Sequence, residues 1–322
     1  EALFVKGSGW DLATIEPQGF APLALPRLRD LSALDSLSDP DMMRELMSAS
    51  FDPGAPAPSV ESLLHAFLPH PAVLHSHADA IVSLTNVGDP GEHIYEIFGD
   101  SVVVIPYVMP GFDLARAVAA SWADQVNSGT VGMVLANHGL FTFGESTREA
   151  YTRHHELISR AECWLDDSAP LPGPPSTALP DLDTMALASL RRDISHAAGY
   201  PMLLCRHCDQ TSTRFVQRPD LEGLASRGPL TPDHVIRTKR VPMVGRDVAA
   251  YTTAYEDYFR QHEHRGHTDL TMLDPAPRVV VDPELGVLTA GRTIAAADIA
   301  FDIYEHTMPA LERVEDGLDG YR

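Results

Sequence analysis

The stretch VLHSHADA, residues 73–80, carries two histidines two positions apart at the end of a short apolar run. On a strand, residues i and i+2 point to the same face. His75 and His77 can therefore aim both imidazoles at one point about 2 Å from each nitrogen, the length of a zinc–nitrogen bond. A third ligand must come from elsewhere. His138, in GMVLANHG, is the best candidate, because it too follows an apolar run and precedes a glycine, where the backbone can turn tightly. Three neutral imidazoles suit a borderline ion such as zinc and leave a position open for substrate. Glu61, just ahead of the His-x-His strand, is either a fourth ligand or a base above the metal. The competing reading is that strands often carry histidines that bind nothing, and 15 histidines in 322 residues produce pairs by accident. His154 and His155 are such a pair: adjacent in a helix, they face different directions and read as surface or packing residues. Cys205 and Cys208 form a C-x-x-C with no second copy, which supports neither a structural zinc nor a redox pair.

The elements that must position these groups follow from periodicity. VESLLHAFLP (60–69) has helical apolar spacing and ends at Pro69. AVLHSH follows as a strand, and SVVVIPYVMPG (101–111) is β-rich. FDLARAVAASWADQV reads as an amphipathic helix. TVGMVLANHGLFTFG (130–144) reads as two strands meeting at His138 and Gly139. A long helix then starts at Ser146, with Glu149 three residues on in the capping pattern. The Pro-, Ser- and acid-rich stretch 166–182 is the clearest linker. Beyond it, GLFTFGESTREA (139–150) can be laid over GVLTAGRTIAAA (286–297), and HPAVLHSHADA (70–80) over YPMLLCRHCDQ (200–210). These offsets, 147 and 130 residues, suggest a tandem duplication. In that alignment His75 becomes Cys205, His77 stays as His207 and His138 becomes Leu285, so the second copy is degenerate. TPDHVIRTK (231–239) reads as a structural strand or a substrate-contacting loop; His234, Arg237 and Lys239 either meet a phosphate or, the favoured account, form a solvated basic face.

Composition narrows the class. The formal charge of −21 argues against a nucleic-acid partner, since a duplex binder needs a basic face. An anionic substrate must then be held locally, against the overall field. Three cysteines make no disulfide framework and suit a reducing, cytoplasmic compartment. No apolar run of about 18 residues is present, so no membrane span is expected.

With Glu61, His-x-His and Asn-His-Gly in this order, the chain resembles the class II aldolase/adducin family. VKGSG (5–9), PSVESLLHAFLP (58–69), VLHSHADA (73–80) and the segment 133–162 carry the resemblance. The C-terminal part, with TPDHVIRTK and LDPAPRVVV (273–281), looks like the aldolase portion of bifunctional rhamnulose-1-phosphate aldolase/dehydrogenase proteins. The resemblance implies that His75, His77 and His138 hold Zn2+ or another divalent metal and that Glu61 is the acid/base. It places Ser8, Gly9 and Ser59 at the substrate phosphate, and Tyr95 of a neighbouring subunit as proton donor, with Tyr107 the weaker choice. The family's upstream Gly-Asn-x-Ser segment does not occur and is expected before residue 1. No Gly-x-Gly-x-x-Gly occurs, so any dehydrogenase domain, fused or separate, is expected outside this chain.

The fold so implied is α/β: three α/β/α layers around a central, mainly antiparallel sheet, duplicated with a degenerate second copy. Residues 1–170 would be the metal-binding aldolase domain and 171–322 a degenerate aldolase-like or family-specific extension. The implied activity is cleavage of a ketose 1-phosphate, of the rhamnulose or fuculose type, to dihydroxyacetone phosphate and lactaldehyde or a related aldehyde. Partial burial is expected to raise the pKa of Glu61. Assembly as a homo-oligomer is also implied. The alternatives are a sugar-phosphate epimerase, dehydratase or decarboxylase of the same family, or a non-catalytic adducin-like assembly module. The module predicts lost histidine ligands, whereas all three are present.

Overall fold

Strands β1 (Ala2–Lys6) and β2 (Phe20–Ala24) pair as an antiparallel ribbon, with Ala2 opposite Ala24. The computed structural model describes residues 1–175, 177–265, 270–318 and 320–321. By their contacts these fall into two units, Glu1–His77 with Gly91–Arg160, and Ala78–Pro90 with Ala161–Arg322. Among the described residues no helix is long and apolar enough to cross a membrane.

The first unit is built on β3 (Ala72–Ser76), β4 (Val102–Ile105), β5 (Gly132–Leu135) and β6 (Gly139–Gly144), in the spatial order β3-β6-β5-β4. β6 pairs antiparallel with both neighbours, and β4 joins β5 in parallel. β5 and β6 are buried throughout, because helices cover both faces. Side chains alternate between the faces. Met133, Leu135, Phe141 and Phe143 pack with Leu63, Leu64, Phe112 and Leu114, from the helices Ser62–Phe67 and Phe112–Gln125. On the other face the helix Thr147–Ser168 lays Leu157 over Gly132 and sets His154 beside Thr142. Glu149 N–H donates to Ser146 Oγ at 3.2 Å, the N-terminal stop expected from the sequence.

The second unit repeats this plan. β7 (Leu203–His207), β8 (Met243–Val244), β9 (Val279–Asp282) and β10 (Gly286–Gly291) lie in the order β7-β10-β9-β8, again with one parallel pair. Val280, Leu288 and Ala290 pack with Leu190, Ile194 and Val248 on one face. Val279, Val281 and Val287 pack with Tyr304, Met308 and Leu311 of the helix Ile294–Gly317 on the other. Each unit is thus an α/β/α sandwich around a mainly antiparallel sheet, and the duplication is visible strand for strand.

Register corrects the sequence alignment by one residue. Ala72 stands opposite Gly144, and Leu203 stands opposite Gly291. The helices that follow, Asp79–Thr85 and Gln210–Val216, carry the same offset. His75 therefore corresponds to Arg206, Ser76 to His207 and His77 to Cys208. Alignment by sequence alone rewards the shared histidine. The sheet obeys side-chain alternation, under which a one-residue slip would turn every side chain to the wrong face.

TPDHVIRTK is also corrected. It is not a strand but a pair of helical turns, Pro232–His234 followed by Val235–Thr238. Arg237 is exposed, but Lys239 is buried, not solvated. Its ammonium donates to Asp274 O and sits 4.0 Å from the centre of the Tyr255 ring. Burial pushes the Lys239 pKa down to about 8.

Candidate metal centre

The site lies at one end of β3 and β6. His75 is the penultimate residue of β3, directly opposite Phe141, and its ring stacks on the phenyl at 4.0 Å between centroids. The Leu140 carbonyl accepts a hydrogen bond from His75 Nδ1–H at 3.0 Å, which fixes the tautomer and turns Nε2 outward. His77 follows just past the strand. His138 is reached through a turn in which Asn137 takes a left-handed φ of 56°. Gly139 then passes so close to β3 that a Cβ there would lie 2.4 Å from Ser76 O. Only glycine lets the two strand ends approach this far.

Glu61 precedes the first turn of the helix Ser62–Phe67 and supplies no side-chain cap to it. Its carboxylate is turned to the histidines instead. Oε1 lies 2.8 Å from His138 Nε2, 3.1 Å from His75 Nε2 and 3.8 Å from His77 Nε2. All four ligand atoms fall within 4.8 Å of one another. A tetrahedral zinc set with bonds of about 2.0–2.1 Å has its ligand atoms about 3.4 Å apart, within the observed spread. The chemistry of the donors points the same way. With Nδ1 donating, a His75 that carries no second proton would set a lone pair at Nε2 against a carboxylate oxygen 3.1 Å away. A proton or a cation between them reconciles two acceptors, and a metal ion does so for all three imidazoles at once.

The electrostatics reverse one expectation. Burial pushes the Glu61 carboxyl up, but the charge of His75 and hydrogen bonds from His138, His75 and His77 outweigh it. Glu61 is held well below the ordinary carboxylate range, not above it, because burial here also brings in imidazole partners. His138, only 1 % exposed, is pushed down by burial against the pull of Glu61, which favours the neutral, ligating form.

The remaining predicted residues divide into two groups. Ser8 N–H donates to Ala57 O at 2.8 Å, and Gly7 bridges to Pro58, so Ser8 and Gly9 run alongside the segment that ends at Ser59. Ser59 Oγ accepts from Glu61 N–H at 3.3 Å, which ties this segment to the carboxylate. Tyr95 stands apart: it lies on the helix Gly91–Phe98 and is 66 % exposed. Tyr107 is 45 % exposed, with its hydroxyl on Met109 Sδ. Sequence reasoning missed Phe141 and the Leu140 carbonyl, which aim His75; strand pairing alone reveals them. His154, a surface or packing residue by sequence, is a buried packing residue. Its ring nitrogens meet Ser76 Oγ at 2.7 Å and Thr142 Oγ1 at 2.9 Å.

Three histidines and one carboxylate gathered at the strand ends could hold a metal ion and mark an α/β protein with a candidate metal site, and comparison with known proteins is more specific. Residues 1–165 match the class II aldolase and adducin N-terminal domain, and residues 181–322 match the second domain of class II aldolases. The chain belongs to the class II aldolase/adducin family. Among curated proteins it is 31 % identical, over 337 aligned residues, to an uncharacterized oxidoreductase, YuxG, of Bacillus subtilis (strain 168). That match covers 97 % of this chain and 48 % of the relative, so the chain spans about half the relative's length. Among solved structures, the N-terminal class II aldolase domain of a conserved Thermoplasma acidophilum protein is 43 % identical with a TM-score of 0.48. That match covers 51 % of this chain and 75 % of the other.

Proposed function

We propose that the first unit is a metal-dependent aldehyde-lyase that cleaves a ketose 1-phosphate to dihydroxyacetone phosphate and a hydroxyaldehyde such as lactaldehyde. The observation that carries this reading is the convergence of Glu61 Oε1 on three imidazole nitrogens within 3.8 Å. His75, His77 and His138 would hold the ion, with zinc favoured by an all-imidazole set. When bound, the ion supplies Lewis-acid stabilisation of negative charge on substrate oxygens beside the reacting carbon.

The chain's own groups handle the protons. Glu61, ionised and held at its entry to the helix, is the base that removes a proton from the carbon next to the carbonyl in the condensation direction. It returns that proton in cleavage. Ser8, Gly9 and Ser59 hold the phosphate through hydroxyls and backbone N–H groups. Tyr95 serves as proton donor to the new alkoxide in condensation and as acceptor in cleavage. Its exposure suits service in a neighbouring copy of the chain, and so a homo-oligomer. Residues 171–322 would be the degenerate copy that supports this assembly.

Metal analysis coupled to a screen of ketose 1-phosphates for release of dihydroxyacetone phosphate tests the reading. Bound metal at about one ion per chain, with cleavage abolished by a chelator and restored by zinc, is expected. Full cleavage by metal-free protein would overturn it. Metal without cleavage of any such substrate would move the assignment to an epimerase or dehydratase of the same family.

A further inference from the structure

The second unit keeps a cavity of about 500 Å³ at the place that corresponds to the metal centre of the first. Its lining includes Arg206 and Cys208, the counterparts of His75 and His77 in the corrected register, with Gln210, Thr213 and Thr177. The counterpart of His138 is Leu285, whose side chain is buried in the core. Its carbonyl takes a new part. Arg206 Nε–H donates to Leu285 O at 2.7 Å, which fixes the plane of the guanidinium. Among the described residues neither Nη of Arg206 has a hydrogen-bond partner, and the residue lines the cavity, so its N–H fork is open to a ligand there.

The charge balance is unusual for this chain. The protein carries −21 overall, yet Arg206 is the one charged side chain among the described residues of the lining. Asp209, next in sequence to Cys208, is turned away: its carboxylate accepts from Ser212 N–H at 2.9 Å and from Ser212 Oγ at 2.6 Å. Leu179, Ala178 and Pro180 form an apolar wall. A planar, always-charged fork, an amide donor from Gln210, an apolar wall and a volume in the range of ligand pockets make a site for an organic oxyanion.

We propose that the second unit binds a small oxyanion, a carboxylate or phosphate ester with a short carbon skeleton, on Arg206 where the first unit holds its metal. The duplication has exchanged a cation site for an anion site at one position of the fold. This binding is independent of the aldol chemistry assigned to the first unit.

Cys208 is exposed at the mouth of the cavity, and Cys163 is exposed outside it, so the full chain contains its own reporter and control. Alkylation of each cysteine by iodoacetate and by neutral iodoacetamide can be followed peptide by peptide by mass spectrometry. The iodoacetate-to-iodoacetamide rate ratio is expected to be roughly tenfold higher at Cys208 than at Cys163, since a local cation concentrates an anionic reagent. Inorganic phosphate or propionate at roughly 10 mM should slow alkylation of Cys208 and leave Cys163 unchanged. Protection by phosphate alone selects a phosphate ester, and protection by propionate alone a carboxylate. Arg206→Gln should bring the ratio down to that of Cys163 and abolish protection, while Arg206→Lys keeps part of the ratio. Equal ratios at Cys208 and Cys163 in the native chain, or no protection by either anion, would overturn the proposal. So would an unchanged ratio in folded Arg206→Gln protein. If that variant does not fold, Arg206→Lys and the two competition experiments decide.

Discussion

β3 and β7 are the same strand built twice, and they differ where chemistry would be done. β3 presents His75 on one face and Ser76 on the other, and β7 presents Arg206 and His207 there. On the buried reverse face the two copies solve one packing problem with exchanged parts. In the first, His154 of the long helix reaches Ser76 and Thr142. In the second, the histidine is on the strand: His207 bonds Thr289 Oγ1 at 2.9 Å and stacks on Phe301 of the helix at 3.5 Å. Thr289 and Phe301 stand where Thr142 and His154 stand. A threonine–imidazole contact is thus kept while its donor element changes. The front face has no such conservation, because the three imidazoles give way to Arg206, Cys208 and Leu285. The difference separates what the fold needs from what the site needs.

The largest effect should come from moving ligands between the copies. His138→Ala should lower metal affinity by at least roughly 100-fold, beyond the loss of an outer-shell partner, as read by metal content after dialysis. Leu285→His should leave the metal content at about one ion per chain, because Arg206 brings positive charge where a second ion would sit. A rise to two ions would show that the second copy is a latent metal site.

A smaller effect concerns the reverse face. Burial, with the charge of His75 adding to it, pushes His154 down to about 4 from an ordinary 6.5. The unfolded chain therefore takes up the proton first as the pH falls. Stability is intact above about pH 6.5 and is lost between there and pH 4, by about 3 kcal/mol in all. His154→Phe, which borrows the second copy's residue, should flatten that part of the stability–pH curve in urea titrations. An unchanged slope would show that the two reverse faces do not exchange roles in this way.

The smallest effect tests whether the copies agree where no chemistry is involved. Ser146 and Thr293 occupy matching positions, and each accepts a backbone N–H, from Glu149 at 3.2 Å and from Ala296 at 3.1 Å. Ser146→Ala and Thr293→Ala should each cost about 1 kcal/mol by denaturant midpoint. A difference of several-fold between them would mean that the helix starts are not equivalent.

Much of this was legible in the sequence because it is local. A histidine pair two apart, an Asn-His-Gly turn and a glutamate at a helix start are each carried by a few neighbouring residues. The duplication was legible from Gly-to-Gly spacing in β6 and β10. What escaped notice depends on pairing between distant segments. The one-residue register of β7 is set by β10, some 80 residues later, and shared letters pointed to the wrong match. The charge state of Glu61 depends on three histidines arriving from two other elements. Lys239 looked like part of a basic surface, since nothing near it in sequence announces Tyr255 and Asp274.

The segment Ala78–Pro90 follows the His-x-His strand, yet its packing lies far along the chain. Val82 and Val87 sit in one apolar cluster with Tyr304, Met308 and Leu311. During synthesis these two valines leave the ribosome more than 200 residues before Tyr304, Met308 and Leu311 of that cluster. At about 5–20 residues per second, that is a wait of about 10–40 s. For that interval Val82 and Val87 lack the helix that completes their apolar cluster.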